Sequence, residues 1–299
     1  MDERTLTDAD GVDVFYRAWP HREPKGVVVI AHGASEHSGR YDRFARALNE
    51  AGYAAYAPDH RGHGRTAAST GAGRMGPGGG DRLVDDLQAL VGVAAEEAPG
   101  APVILFGHSM GSMIGQAYVT RFGAGLHGYV LSGCPGPMPN AEEMAAAMQG
   151  AVDGGMADQP VDILGAFNQA FEPARTPFDW LSRDPDEVDK YVADPLCGDN
   201  LPLTFGFVND LFKLAAPAME RAAIARIPAM PVLLITGEKD PASGMAANVR
   251  EFEPRLRDAG LDVTAHYYPD ARHEVLNETN RDEVTADVVR WLDGVTSSR

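Results

Sequence analysis

Short apolar runs alternate with helix-period stripes along most of the chain, and this alternation limits the fold more than any other feature. "GVVVIAHG" (Gly26 to Gly33) is β-branched and uninterrupted, as a strand buried on both faces must be. After it, Tyr41, Phe44, Ala45 and Leu48 stand at i, i+3, i+4 and i+7. That spacing predicts an amphipathic helix with Ser38 as N-cap and Gly52 as stop. The chain then reads strand "YAAYAPDH", a helix with Leu83, Leu87, Leu90 and Val91 on one side, strand "VILFGH", a helix opening at Met110, and strands "GYVLSG" and "VLLITG". A helix near Met245 to Ala259, strand "DVTAHYYP" and a helix carrying Val284, Val288, Trp291 and Leu292 complete the series. Near the start, "VDVFYRAW" reads as a half-buried strand. The pattern predicts an α/β fold, a mainly parallel central sheet flanked by helices.

One connection is too long. About a hundred residues lie between "YVLSG" and "VLLITG", where a crossover helix needs roughly a dozen. We therefore expect a core of residues 1–134 and 228–299 and a helical cap insertion over 135–227. The insertion is rich in methionine and aromatic residues, among them Met138, Met144, Met148, Phe167, Trp180 and Phe212. Some of these must form its own small core. The others are expected to line an apolar cavity above the carboxyl ends of the strands, where open α/β sheets bind ligands. The glycine-rich stretch Thr66 to Gly80 lacks the GxxxxGK[ST] pattern of a phosphate cradle and reads as a mobile surface loop.

The 299 residues carry a formal net charge of −17, which repels phosphate backbones and anionic bilayers. No nucleic-acid partner is expected, and at most peripheral membrane contact through the cap. Cys134 and Cys197 have neither CxxC spacing nor the density of a disulfide framework, and read as buried thiols in a reducing compartment. The polar "MDERTLTDADG" shows no apolar signal core, and the run Val27 to Ala31 is far too short to span a membrane. A cytoplasmic location follows as the expectation. The oligomeric state is not legible.

Chemistry enters at "ILFGHSMGSMIG". Gly107-His108-Ser109-Met110-Gly111 matches G-x-S-x-G, with a strand before it and a helix after. In that context the motif is a nucleophile elbow: a turn too tight for side chains at its flanking glycines, leaving Ser109 exposed at a helix N-terminus. A serine at its ordinary pKa needs a base, and the base needs an orienter. In such sheets the chain order is serine, acid, histidine, each past a strand end. His273 in "YYPDARHEV" fits; His127 lies before a strand and His266 inside one. Asp240, beyond the turn glycine Gly237, is the preferred acid, with Glu238 and Asp270 as near neighbours. The oxyanion hole is assigned to the amides of Met110 and of Ala34, in the loop after "VVVIAHG".

His32, His37, His60 and His63 crowd two strand-end loops, but no metal-ligand spacing such as HExxH occurs. They are expected to bond loop backbone, and neither a metal nor a cofactor is expected.

The blocks "AHGASEHSGRYDRFA", "YAPDHRGHGRT" and "GHSMGS", with the Asp240 and His273 turns, resemble the monoacylglycerol lipase and lysophospholipase group of the α/β-hydrolases, the serine aminopeptidase S33-like group. "FDWLSRDPDEVDKYVADPLCG" is similar to the cap of its bacterial lysophospholipase-like members. The resemblance runs nearly end to end. It implies the α/β-hydrolase fold, the triad Ser109, Asp240 and His273, and the oxyanion pair Ala34 and Met110. Glu36 and Arg40 match positions near the polar head-group end of the substrate pocket. A structural role is the alternative for this pair, with Glu36 capping the next helix and Arg40 bound to it. Ser35 and Ser112 stand where the group often has glycine. The implied activity is serine carboxylic ester hydrolysis of a small-molecule or lipid ester with a single acyl chain. The same triad would serve a thioesterase, amidase or lactonase, and some proteins of this fold only bind ligands.

Overall fold

A computed structural model describes residues 1–297. Eight strands form one sheet: β1 (Asp2–Thr7), β2 (Asp13–Trp19), β3 (Val27–Ala31), β4 (Ala54–Pro58), β5 (Val103–His108), β6 (Gly128–Ser132), β7 (Pro231–Gly237) and β8 (Asp262–Tyr268). Their spatial order is β1-β2-β4-β3-β5-β6-β7-β8. β1 and β2 are antiparallel to their neighbours, and the other pairings are parallel.

The period-two alternation of each buried strand splits its side chains between two cores. Val27, Val29, Leu105 and Leu131 point into one, and Val28, Ile30, Phe106 and Val130 into the other. The first core is closed by α3 (Asp81–Glu97), α4 (Met110–Phe122) and α9 (Ala247–Asp258). The second is closed by α1 (Asp42–Glu50) and α10 (Arg281–Ser297). The stripe Tyr41, Phe44, Ala45 and Leu48 is buried there as its spacing requires.

Three details differ from the sequence reading. β1 appears in a segment whose composition gives no strand signal. The Ser38 side chain does not cap a helix. His37 Nδ1 accepts from Gly39 N–H, and the Ser38 hydroxyl donates to Asp59 instead. The glycine-rich stretch is also not a loose loop. It contains the one-turn helix α2 (Ala67–Thr70), buries Met75, and presents the Gly73 carbonyl to the amide and hydroxyl of Thr204. A Cβ on Gly73 would lie 2.0 Å from Pro202 O, so this contact needs glycine.

The segment after β6 holds α5 (Ala141–Asp153), α6 (Pro185–Ala193), α7 (Phe205–Ala218), α8 (Arg221–Ile224) and short 3₁₀ turns. Thr204 caps α7 by accepting from Phe207 N–H, and Asp184 caps α6 ahead of Pro185. Phe178, Trp180, Leu181, Val188, Tyr191 and Cys197 form a small core within this segment. α7 is different: Phe207, Val208 and Leu211 belong to the main core. Among the described residues, no helix is long and apolar enough to cross a membrane.

Candidate active site

β3 and β5 run side by side with Ala31 paired to Gly107, so the loop after β3 and the elbow after β5 emerge together. Because β4 lies on one side of β3 and β5 on the other, this is where the sheet reverses order and opens a crevice. The elbow glycines make the turn possible. A Cβ on Gly107 would sit 2.6 Å from Gly111 O, and one on Gly111 would sit 2.0 Å from Ala31 O. Ser109 takes φ 51° and ψ −117°, strained for a non-glycine residue, and leads directly into α4. Its hydroxyl therefore stands at a helix N-terminus, whose first N–H groups have no intrahelical acceptor.

His273 follows β8. Its Nδ1 lies 2.9 Å from Asp240 Oδ1, past the end of β7, with the imidazole 2% and the carboxylate 0% exposed. Since the carboxylate only accepts, Nδ1 carries the proton and Nε2 is left as the basic nitrogen. Burial opposes protonation of this ring, but the Asp240 charge and hydrogen bond outweigh it and raise its pKa above the ordinary histidine value. Of the two neighbouring acids, Glu238 pairs with Arg250 and Asp270 is exposed in a turn. The His108 ring lies 4.8 Å from that of His273, linking the histidine loop to the elbow; burial first, then His273, pushes His108 down to about 4.

The loop after β3, to which the sequence assigns an oxyanion donor, is fixed on both sides of Ala34. Gly33 N–H donates to Glu36 Oε1 at 2.5 Å, and Ser35 N–H donates to His63 Nε2 at 3.1 Å. A Cβ on Gly33 would lie 3.3 Å from Ser109 Cβ, so this loop passes directly beside the elbow. Ser35 has φ +51°, where the group often carries glycine. Its strain is offset by bonds from its hydroxyl to Leu201 O and to its carbonyl from Gly198 N–H and Tyr191 Oη–H. The other departure, Ser112, donates to Ser109 O at 2.6 Å.

Three of the four clustered histidines, His32, His37 and His63, bond loop backbone through their rings, whereas the buried His60 Nε2 has no hydrogen-bond partner among the described residues. His32 Nε2 accepts from His60 N–H, and His63 Nδ1 faces Arg61 O. One trio among the described residues, His37, Asp194 and Cys197, brings possible metal ligands within 4.8 Å. His37 Nδ1 accepts from Gly39 N–H, so its Nε2 holds a proton and donates to Asp194 at 3.1 Å. Burial also pushes the Cys197 thiol up, so two of the three ligand atoms keep their protons.

Glu36 and Arg40 meet each other at 2.7 Å, and Arg40 also makes a two-point bond to Glu274 at 2.5 and 2.7 Å. Glu274 escaped sequence reasoning, which took His273 from "YYPDARHEV" and passed over the residue after it. Glu278 escaped it too: fully buried, it accepts from the amides of Arg272 and Arg183. Trp180 packs its ring 4.8 Å from that of His273, and its carbonyl and that of Leu181 accept from the amides of His273 and Glu274. Carboxylates close in sequence to the base, in a chain with arginines in facing loops, were the available signal.

Residues 22–280 match the model of the serine aminopeptidase S33 family. The chain belongs to this family. Within reach of the same S33 pattern, it is 35% identical to the monoacylglycerol lipase of Mycolicibacterium smegmatis over 291 residues, covering 97% of this chain and 96% of that one. It is 30% identical to the monoglyceride lipase of Mus musculus, covering 92% and 88%. The structure of a thermostable carboxyl esterase from Bacillus coagulans in complex with glycerol superposes with a TM-score of 0.92 at 30% identity, covering 99% and 98%. The chain is thus similar to esterases and lipases over most of its length, and its sheet is that of an α/β-hydrolase.

Proposed function

We propose that this protein hydrolyses carboxylic esters of a single acyl chain, monoacylglycerols foremost, through an acyl-enzyme on Ser109. The observation that carries the reading is the buried His273–Asp240 pair at 2.9 Å on the loops beside a strained elbow. His273 Nε2 takes the Ser109 proton as Oγ bonds the ester carbonyl carbon, and the amides of Ala34 and Met110 hold the resulting oxyanion. The proton passes to the departing glycerol oxygen as the ester bond breaks. Water then attacks the acyl-enzyme with the same base, releasing the fatty acid and restoring the serine.

The reading places the acyl chain in the cleft between α5 and α7. Its volume is about 520 Å³, and Met113, Met138, Phe212 and Met219 line it. Met113 is one turn of α4 from Ser109, to whose carbonyl its amide is bonded. The rim carries Glu142, Glu143, Glu220 and Glu251 against Arg255, which favours neutral over anionic lipids. The small lipid ester is met by a cytoplasmic enzyme, with membrane contact no more than peripheral.

A fluorophosphonate probe tests the reading. It should label Ser109, and Ser109→Ala should lose both labelling and cleavage of a monoacylglycerol. Folded wild-type protein that takes no label and cleaves no monoacyl ester would overturn it.

A further inference from the structure

Arg40 stands between two carboxylates that belong to different loops. Glu36, 3% exposed, holds the oxyanion loop: it accepts from Gly33 N–H, from Tyr41 Oη–H at 2.8 Å and from Arg40 at 2.7 Å. Glu274 is the residue after His273, and its two oxygens take the two Nη groups of Arg40. The guanidinium is only 11% exposed and lies over the Tyr191 ring, 4.7 Å from its centroid. Tyr191 Oη in turn donates to Ser35 O, on the same oxyanion loop.

We propose that Arg40 is a positioning residue: by bridging Glu36 and Glu274 it locks the loop carrying the Ala34 amide to the loop carrying His273. The proposal rests on the triad reading above, and it requires neither Arg40 nor the two carboxylates to touch substrate. A planar fork between two fixed carboxylates is suited to this, because both its distance and its orientation are set. Support of this kind decides whether donors and base stay in register with the serine.

The bridge also sets the charge around the base. Asp240 faces His273 from the end of β7 and His108 from β5, Glu36 on the loop after β3 and Glu274 on its own loop add negative charge, and the Trp180 ring covers it from the insertion, while Arg40 is bonded to both glutamates. Arg272 is directed away, to the carbonyls of Asp179 and Ser182. Removing the Arg40 charge leaves two uncompensated anions near the imidazole and favours its protonated form. Removing the Glu274 charge does the reverse.

The test is a titration of ring-labelled histidines in the full chain by NMR, with the His273 signal identified by its loss in His273→Gln. Arg40→Gln should raise the His273 midpoint and Glu274→Gln should lower it, by about half a unit or more each. Arg40→Lys keeps the charge but not the fork, so the midpoint should stay while kcat falls. In all three, kcat on a monoacyl ester should fall about tenfold or more with KM within about threefold. Arg40→Gln and Glu274→Gln midpoints that do not move, or that move in the same direction, overturn the proposal, as does a folded Glu274→Gln protein with wild-type kcat. If Arg40→Gln does not fold, the near-isosteric Glu274→Gln decides alone. The midpoints are read without turnover, so a wild type lacking esterase activity would sink the ester reading and still leave this bridge decided.

Discussion

The backbone of Gly237, at the end of β7, runs against that of Ala271: a Cβ added to the glycine would lie 2.2 Å from the Ala271 carbonyl oxygen and equally close to that of Arg272. Lys239 N–H donates to the same Ala271 carbonyl at 2.9 Å. The histidine loop can therefore lie down on the β7 end only because no side chain is there. Gly133, past β6, does the same job one strand over, where a Cβ would meet His273 O at 2.8 Å. Two strand-end glycines thus clear the path by which residue 273 travels from β8 toward the elbow after β5.

Gly237→Ala should then damage activity more than its size suggests. The inserted methyl group has backbone on two sides and no flexible neighbour to displace. We expect about 1–3 kcal/mol of destabilisation in chemical denaturation. A larger proportional loss in kcat should accompany it, because the loop that shifts carries the base. Wild-type kcat in the variant would show that the loop tolerates displacement.

Asp240→Asn isolates the orienting role. An asparagine retains an acceptor for Ala242 N–H, which Asp240 Oδ1 now takes at 2.9 Å, so the 3₁₀ turn that follows keeps its cap. The imidazole, however, loses the charge that selects the Nδ1–H tautomer. A fall in kcat of about 10³–10⁴ is expected, with the thermal midpoint changed by only a few degrees. A stopped-flow burst experiment separates acylation from deacylation, and both should slow.

The order serine, acid, histidine was legible because each residue follows a strand whose apolar run is unmistakable. β1 was not legible: Asp2–Thr7 is polar, at the sheet edge, and takes its register from β2 rather than from any apolar face of its own. The docking of the glycine-rich stretch was hidden for a related reason, since its partner Thr204 lies far along the chain. The choice of Asp240 over Glu238 and Asp270 turned on where three adjacent side chains point, which spacing alone does not determine. Trp180 reaches His273 only once the insertion has folded back over the β8 end, and Glu274 meets Arg40 only once the loops after β3 and β8 come together. Local pattern therefore singled out Asp240 and His273, which the fold brings together at 2.9 Å, and tertiary contacts supplied what holds their loops.

The rate should depend on pH through His273. Its pKa is raised above the ordinary value of 6.5, and only its neutral form can accept the serine proton. The acid limb of kcat/KM is therefore expected above pH 6.5, with activity rising as the pH increases through the folded value. The same shift has the opposite sense for stability. The charged ring is favoured in the folded state, so its contribution is present below the unfolded value and is lost as the pH rises through the folded one. A limb well below 6.5 would contradict the pairing with Asp240.

Acid should also loosen the loops from the other side of the site, and here the sign reverses. Burial holds His32 below its ordinary value and pushes His63 down to about 3. Both rings use Nε2 to accept a backbone N–H, from His60 and from Ser35 respectively, so neither can be protonated there without breaking the bond. As the pH falls below about 6.5 the unfolded chain takes up protons that these two rings refuse, and stability declines. Urea midpoints should therefore drop steadily between pH 6.5 and 4. His63→Gln keeps an acceptor near Ser35 N–H but does not titrate, so its dependence on pH should be shallower than that of the wild type. Equal slopes for the two proteins would mean that His63 is not among the groups that set acid stability.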